Sequence, residues 1–167
     1  MESTFTCSKS IDVIIVLYDL HTKLFPNVID GISDKDAQNR LNTKANHLAW
    51  LTGSLVHERY ELANAAGIEV RQTSHELFER HKGIQDNVIY PPLLEFKKDW
   101  NWITPVLRKG LSRLTDEELN SADPYGMPGD DLTFFDAITF LMDRESYCIG
   151  QIGLYRRLLG YQPMKYQ

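Results

Sequence analysis

Along four stretches of the chain apolar residues recur at spacings of three and four, and no stretch keeps the period of two that a half-buried strand needs. The last stretch is the strongest. From Leu132 to Gly160 the positions Phe134, Ile138, Leu141, Glu145, Cys148, Ile152, Tyr155 and Leu159 form one seam. At 1.5 Å per residue this predicts a helix of roughly 42 Å, packed lengthwise against other helices. The first stretch buries Ile11, Ile14, Ile15, Tyr18 and Phe25, with Ser8 or Ser10 as cap and Pro26 as stop. The second reads as one helix from about Lys35 to Ala66 along Leu41, Ala45, Leu48, Leu51, Leu55 and Leu62. It tolerates Gly53 and ends at Gly67. Pro91 and Pro92 open the third, which buries Leu93, Phe96, Trp100, Ile103, Leu107 and Leu114 and kinks at Pro105.

Between the second and third helices the pattern weakens. Thr73 and Glu76 have capping-box spacing and predict a short helix to about Lys82, ended by Gly83. A link this long can cross over the molecule instead of turning straight back. Thr115 to Asn120 predicts one further turn, and Ser121 to Asp131 a loop into the last helix. The expected fold is all-α: a four-helix bundle forming one domain over residues 1–167, with a long crossover-type connection between helices two and three.

Composition narrows the function classes. A net charge of −5 makes the general electrostatic term for nucleic acid repulsive, and the densest basic cluster is only Arg156 and Arg157, so no nucleic-acid partner is expected. The apolar run Val13 to Leu17 is short and bounded by Asp12 and Asp19, which predicts neither a signal nor a membrane span. Cys7 and Cys148 make no disulfide framework, and a cytoplasmic location is the expectation.

Two segments carry chemistry. On helix two, Asn46 to Leu55 reads NHLAWLTGSL; on the last helix, Arg144 to Ile152 reads RESYCIGQI, followed by RRLLG at 156–160. These resemble the DinB-like, YfiT-like superfamily of four-helix metalloenzymes. In that family a tryptophan precedes Gly-His-Leu on helix two, and the closing helix carries His-Glu-x-x-His-x-Gly-Gln and then Arg-Arg-x-x-Gly. The resemblance spans nearly the whole chain. It implies a bundle with a crossover, a homodimer, a divalent nickel or zinc ion in many members, and thiol-dependent transferase or isomerase activity in some. Two imidazoles at i and i+4, with a third from the facing helix, offer a metal three nitrogens and leave positions open for water or substrate.

The chain departs from that pattern at each ligand. Ser54 stands at the helix-two histidine, Arg144 at the first histidine of the last helix and Cys148 at the second. A guanidinium about 5 Å from a dication is opposed by about 7 kcal/mol at an effective dielectric of 20. The metal site of the resemblance is therefore expected to be lost, and no cofactor is expected. The alternative is a nickel or zinc ion held by substitute ligands. His47 is one candidate, two turns before Ser54 on nearly the same face, but it and Cys148 would lie about 10 Å apart along the bundle. His75 and His81 are read as solvated and not convergent.

What remains is a polar cleft of Ser54, Arg144, Glu145, Cys148 and His47. Arg144 is either an ion-pair partner of Glu145 or Glu58, or the clamp of an anion pocket in which Ser54 donates a hydrogen bond. Cys148 reads as a small buried hydrophobe or as a thiolate beside Arg144. Three functions stay open. The first is a metal-free bundle that binds a small, anionic molecule or serves as an accessory protein. The second is a metal-assisted hydrolase or thiol-dependent transferase, and the third a purely structural homodimer. An enzyme needs convergent ligands or a nucleophile–base pair; a binding protein needs an enclosed polar pocket.

Overall fold

The computed structural model describes residues 8–166; Cys7 and the rest of residues 1–7 lie outside them. Among the described residues the chain is helical, with no strand beyond one isolated bridge between Ala122 and Thr133. Its elements are α1 (Ser10–Ile29), α2 (Asp34–Ala37), α3 (Leu48–Ala65), α4 (Leu93–Leu111), α5 (Asp116–Leu119) and α6 (Phe134–Leu158). No described helix is long and apolar enough to cross a membrane.

The four long helices pack side by side, α1 on α6 and α4, α3 on α4 and α6. Contact register gives their directions. Gly53 faces Phe96 and Tyr60 stacks on Trp102, so α3 and α4 run parallel. His21 meets Glu145 and Val28 meets Arg156, so α1 and α6 are parallel as well. Tyr18 reaches Thr104 while Ser8 reaches Leu114, which sets α1 antiparallel to α4. Two consecutive parallel helices require a link that returns along their length, and residues 66–92 do so, as the length of that link suggested.

The expected seams are largely the observed ones. Phe134, Ile138, Glu145, Cys148, Ile152 and Tyr155 are buried on α6, and Leu93, Phe96, Trp100, Ile103 and Leu107 on α4. The Thr133 and Asp136 side chains form a capping box at the start of α6.

Several boundaries differ. The helix expected over Lys35–Ala66 is two: α2 ends at Ala37, and an irregular segment with Leu41 and Asn42 at positive φ precedes α3. Asn39 there turns its side chain onto the Leu41 backbone N–H, the local competition that disfavours helix at such residues. Pro26 does not stop α1, which continues to Ile29. Proline cannot donate to the carbonyl four residues back, and that Thr22 carbonyl instead accepts from the Trp100 indole. The cap expected at Thr73 is absent: Thr73 bonds Asp99 through both its N–H and its hydroxyl. Two short 3₁₀ turns, His75–Leu77 and Glu79–His81, replace the expected helix. They lay Phe78 against α3, where a Cβ on Gly53 would come within 2.2 Å of the Phe78 ring and 2.7 Å of Phe96. Gly53 is a packing requirement, not a tolerated interruption.

Candidate functional site

The polar cleft expected around Ser54, Arg144, Glu145, Cys148 and His47 divides into separate environments. Glu145 belongs to the interior. Its carboxylate receives Arg59 in a fork, Nε to Oε1 at 2.6 Å and Nη2 to Oε2 at 2.9 Å, and His21 Nδ1 lies 3.1 Å from Oε2. Arg59 also donates to the hydroxyls of Thr22 at 3.0 Å and Thr104 at 2.8 Å. Its guanidinium lies between the rings of Tyr18 and Trp100, 3.9 and 3.5 Å from their centroids. Burial pushes the Glu145 carboxyl up, but the Arg59 charge, its hydrogen bonds and that of His21 together hold it below the usual carboxylate range. Burial raises Tyr18 to about 12, opposed by Arg59. This node joins all four long helices, and its donors and acceptors are directed at one another. The sequence pointed to Glu145 as a carboxylate among hydrophobes; its partner is Arg59, not the adjacent Arg144.

Cys148 is 2% exposed, and its thiol is raised by burial more than the Arg144 charge lowers it. It is a buried hydrophobe in the sense of its seam position. His47 caps α3, its Nδ1 accepting from the Trp50 N–H at 3.1 Å, with its ring edge on Tyr90. Burial lowers its pKa. The expected helix ran through this position; in the structure His47 is the residue directly before α3, and its ring is turned onto the backbone of the first turn.

Ser54 and Arg144 do converge. Arg144 Nη2 donates to Ser54 Oγ at 3.1 Å, and its Nη1 is paired with Glu58, one of the partners foreseen for it. These three side chains stand at the wall of a cavity of about 380 Å³ between α3 and α6. Trp50, Ser54, His57, Glu58 and Glu61 form its α3 side, and Phe140, Leu141 and Arg144 its α6 side. The crossover segment adds Phe78, Arg80, His81 and Lys82, and the loop before α6 adds Tyr125 and Met127. Four buried polar atoms of these residues, Trp50 Nε1, His57 Nδ1, Glu58 Oε2 and Tyr125 Oη, have no hydrogen-bond partner among the described residues, and a fifth, Arg144 Nη1, has only its ion pair with Glu58. An unpaired buried polar group costs roughly 1–3 kcal/mol, which marks this wall as prepared for something else. Burial, then the charges of Glu61 and Asp123, raise the Tyr125 phenol, which therefore stays a donor.

At one end of the cavity, His57, Glu61 and His75 bring one ligating atom each to within 4.8 Å of one another. His57 and Glu61 are i and i+4 on α3, a spacing legible in the sequence. His75, expected to be solvated, arrives from the crossover segment and places its ring centroid 5.1 Å from that of His57. Burial lowers His57 to about 4, with the His75 charge acting in the same direction. His57 is therefore neutral at pH 7. His81 is exposed, as expected.

Comparison with family models and with curated proteins finds no match to this chain. The geometry therefore carries the functional argument.

Proposed function

We propose that the protein binds a small molecule in the cavity between α3 and α6. The observation that carries this is the unpartnered set of Trp50 Nε1, Glu58 Oε2 and Tyr125 Oη in the wall of a partly open space of about 380 Å³. Phe78, Phe140, Leu141 and Met127 supply an apolar surface for a ring or short chain. The polar atoms ask for a head group with acceptors for the indole and phenol and a donor for the free carboxylate oxygen. The anion-clamp form of this reading loses ground, because Glu58 already neutralises Arg144; a carboxylate head would have to displace it.

The DinB-like relationship is part of the same reading. Parallel α3 and α4 with a crossover link support it, as does the meeting of Ser54 with Arg144 at two of the positions the resemblance assigns to metal ligands. On this view a guanidinium–serine–carboxylate cluster stands where relatives hold an ion. The homodimer that the resemblance implies is supported by the exposed stripe Val13, Val16, Leu17 and Leu20 on α1.

The test is a thermal-shift screen of metal-free protein against rings and chains bearing carboxamide, hydroxyl or carboxylate heads, run beside a Leu141→Trp variant that fills the cavity. Stabilisation of the parent chain that disappears in the variant supports the reading. Equal stabilisation of both chains contradicts it.

A further inference from the structure

We propose that His57, Glu61 and His75 form a site for one divalent transition-metal ion of the zinc class, held at the edge of the cavity. The ligand positions of the resemblance are not involved; the site is built from one turn of α3 and the crossover segment.

The geometry is close to that of a two-histidine, one-carboxylate site. His57 Nε2 lies 3.9 Å and His75 Nδ1 4.0 Å from the same Glu61 oxygen. A tetrahedral ion with bonds of about 2.0–2.1 Å needs its ligand atoms about 3.3 Å apart. The three atoms thus have to close by less than about 1.5 Å from their widest allowed separation, which is side-chain adjustment for residues on the cavity rim. Imidazole nitrogens and a carboxylate favour a transition ion over magnesium or calcium, which prefer all-oxygen shells. Three protein ligands leave a fourth position for water or a cavity ligand.

A second observation is independent of the ligand spacing. Metal-binding histidines almost always donate their other ring N–H to a carbonyl or carboxylate. His75 has such a partner. The far nitrogen of His75, Nε2, lies 3.3 Å from Glu79 Oε2, and Lys82 fixes the other Glu79 oxygen at 3.1 Å. His57 Nδ1 and the side-chain oxygen of nearby Gln72 are both buried without a partner, although the Gln72 amide N–H is held by the Gly53 carbonyl at 3.3 Å. The Glu79 contact selects the tautomer that leaves His75 Nδ1 free to face Glu61, the same carboxylate oxygen that His57 Nε2 faces. Of the cations at the cavity, Arg144 is paired with Glu58 and Lys82 with Glu79, while Arg80 is exposed to solvent.

The experiment is calorimetric titration of zinc into the tag-free full chain after chelator treatment, with cobalt absorption as a second readout of tetrahedral nitrogen and oxygen ligation. One zinc per chain is expected. His75→Ala, at a partly buried position outside the hydrophobic core, should weaken binding at least 100-fold, and Glu79→Gln about 10-fold. His81→Ala and Cys148→Ala should leave it unchanged. No saturable binding overturns the proposal. So does binding untouched by His75→Ala, or reduced as much by His81→Ala, which would mean chelation by surface histidines. Organic-ligand binding is measured without metal, so either proposal can fail alone.

Discussion

Replacing Arg59 by Met should be the most damaging single change in the protein. The variant keeps the approximate length and apolar stem of the side chain but deletes the fork onto Glu145 and the bonds to Thr22 and Thr104. Glu145, 1% exposed, is left with His21 as its one remaining partner. Removing one member of a buried pair costs about 3–5 kcal/mol, because the other charge stays desolvated. At about 2–4 °C per kcal/mol for a chain of this size, the melting temperature should fall by roughly 6–20 °C. Urea unfolding and calorimetry at pH 7 measure both quantities. The decisive comparison is the Arg59→Met, Glu145→Leu double variant. It removes both charges and should regain much of the loss, since a well-packed apolar pair often matches a buried ion pair. A single variant costing less than about 1 kcal/mol, or a double variant as unstable as the sum of the two singles, would refute the role given to this node.

Gly53→Ala should destabilise by about 1–3 kcal/mol despite the better helix propensity of alanine, because the new Cβ meets the Phe78 and Phe96 rings; Phe78→Leu should relieve part of it. Stability should also depend on His57. Its folded pKa of about 4 lies below the ordinary 6.5, so the unfolded chain binds the extra proton, and stability falls as pH drops from about 6.5 towards 4. His57→Gln should flatten that slope in urea titrations, and parallel slopes would sink the assignment. Glu145 acts in the lower window, its contribution being lost only as pH falls through its depressed carboxyl pKa. In a Cys7→Ser background, Cys148 should react with a thiol reagent no faster than the protein opens. Rapid native-state labelling would revive a thiol-dependent activity.

Periodicity exposed the long helices well because their buried faces are continuous: the α6 and α4 seams needed only the apolar positions. It failed where a polar side chain or a distant element settles the local structure. Asn39 breaks the expected second helix through its own side chain, and the Trp100 indole lets α1 pass Pro26 by accepting the duty of a missing N–H. The site was half legible. Ser54 and Arg144 meet, but Glu145 faces the opposite side of α6, and adjacent helix residues diverge by about 100°. Tyr125, Met127, Phe78 and His75 come from irregular segments, where no period places a side chain. Even the i, i+4 pair His57 and Glu61 carries little meaning until His75 is seen beside it.

The indole N–H signal of Trp50 tests cavity binding most directly. Trp100 already donates to the Thr22 carbonyl, whereas Trp50 Nε1 is unpartnered. In proton–nitrogen spectra of metal-free protein, compounds that stabilise the chain should shift the Trp50 indole most and saturate with one site. Leu141→Trp should abolish the shift. Stabilising compounds that leave the Trp50 signal in place, or move it equally in the filled variant, would contradict a binding function for this cavity.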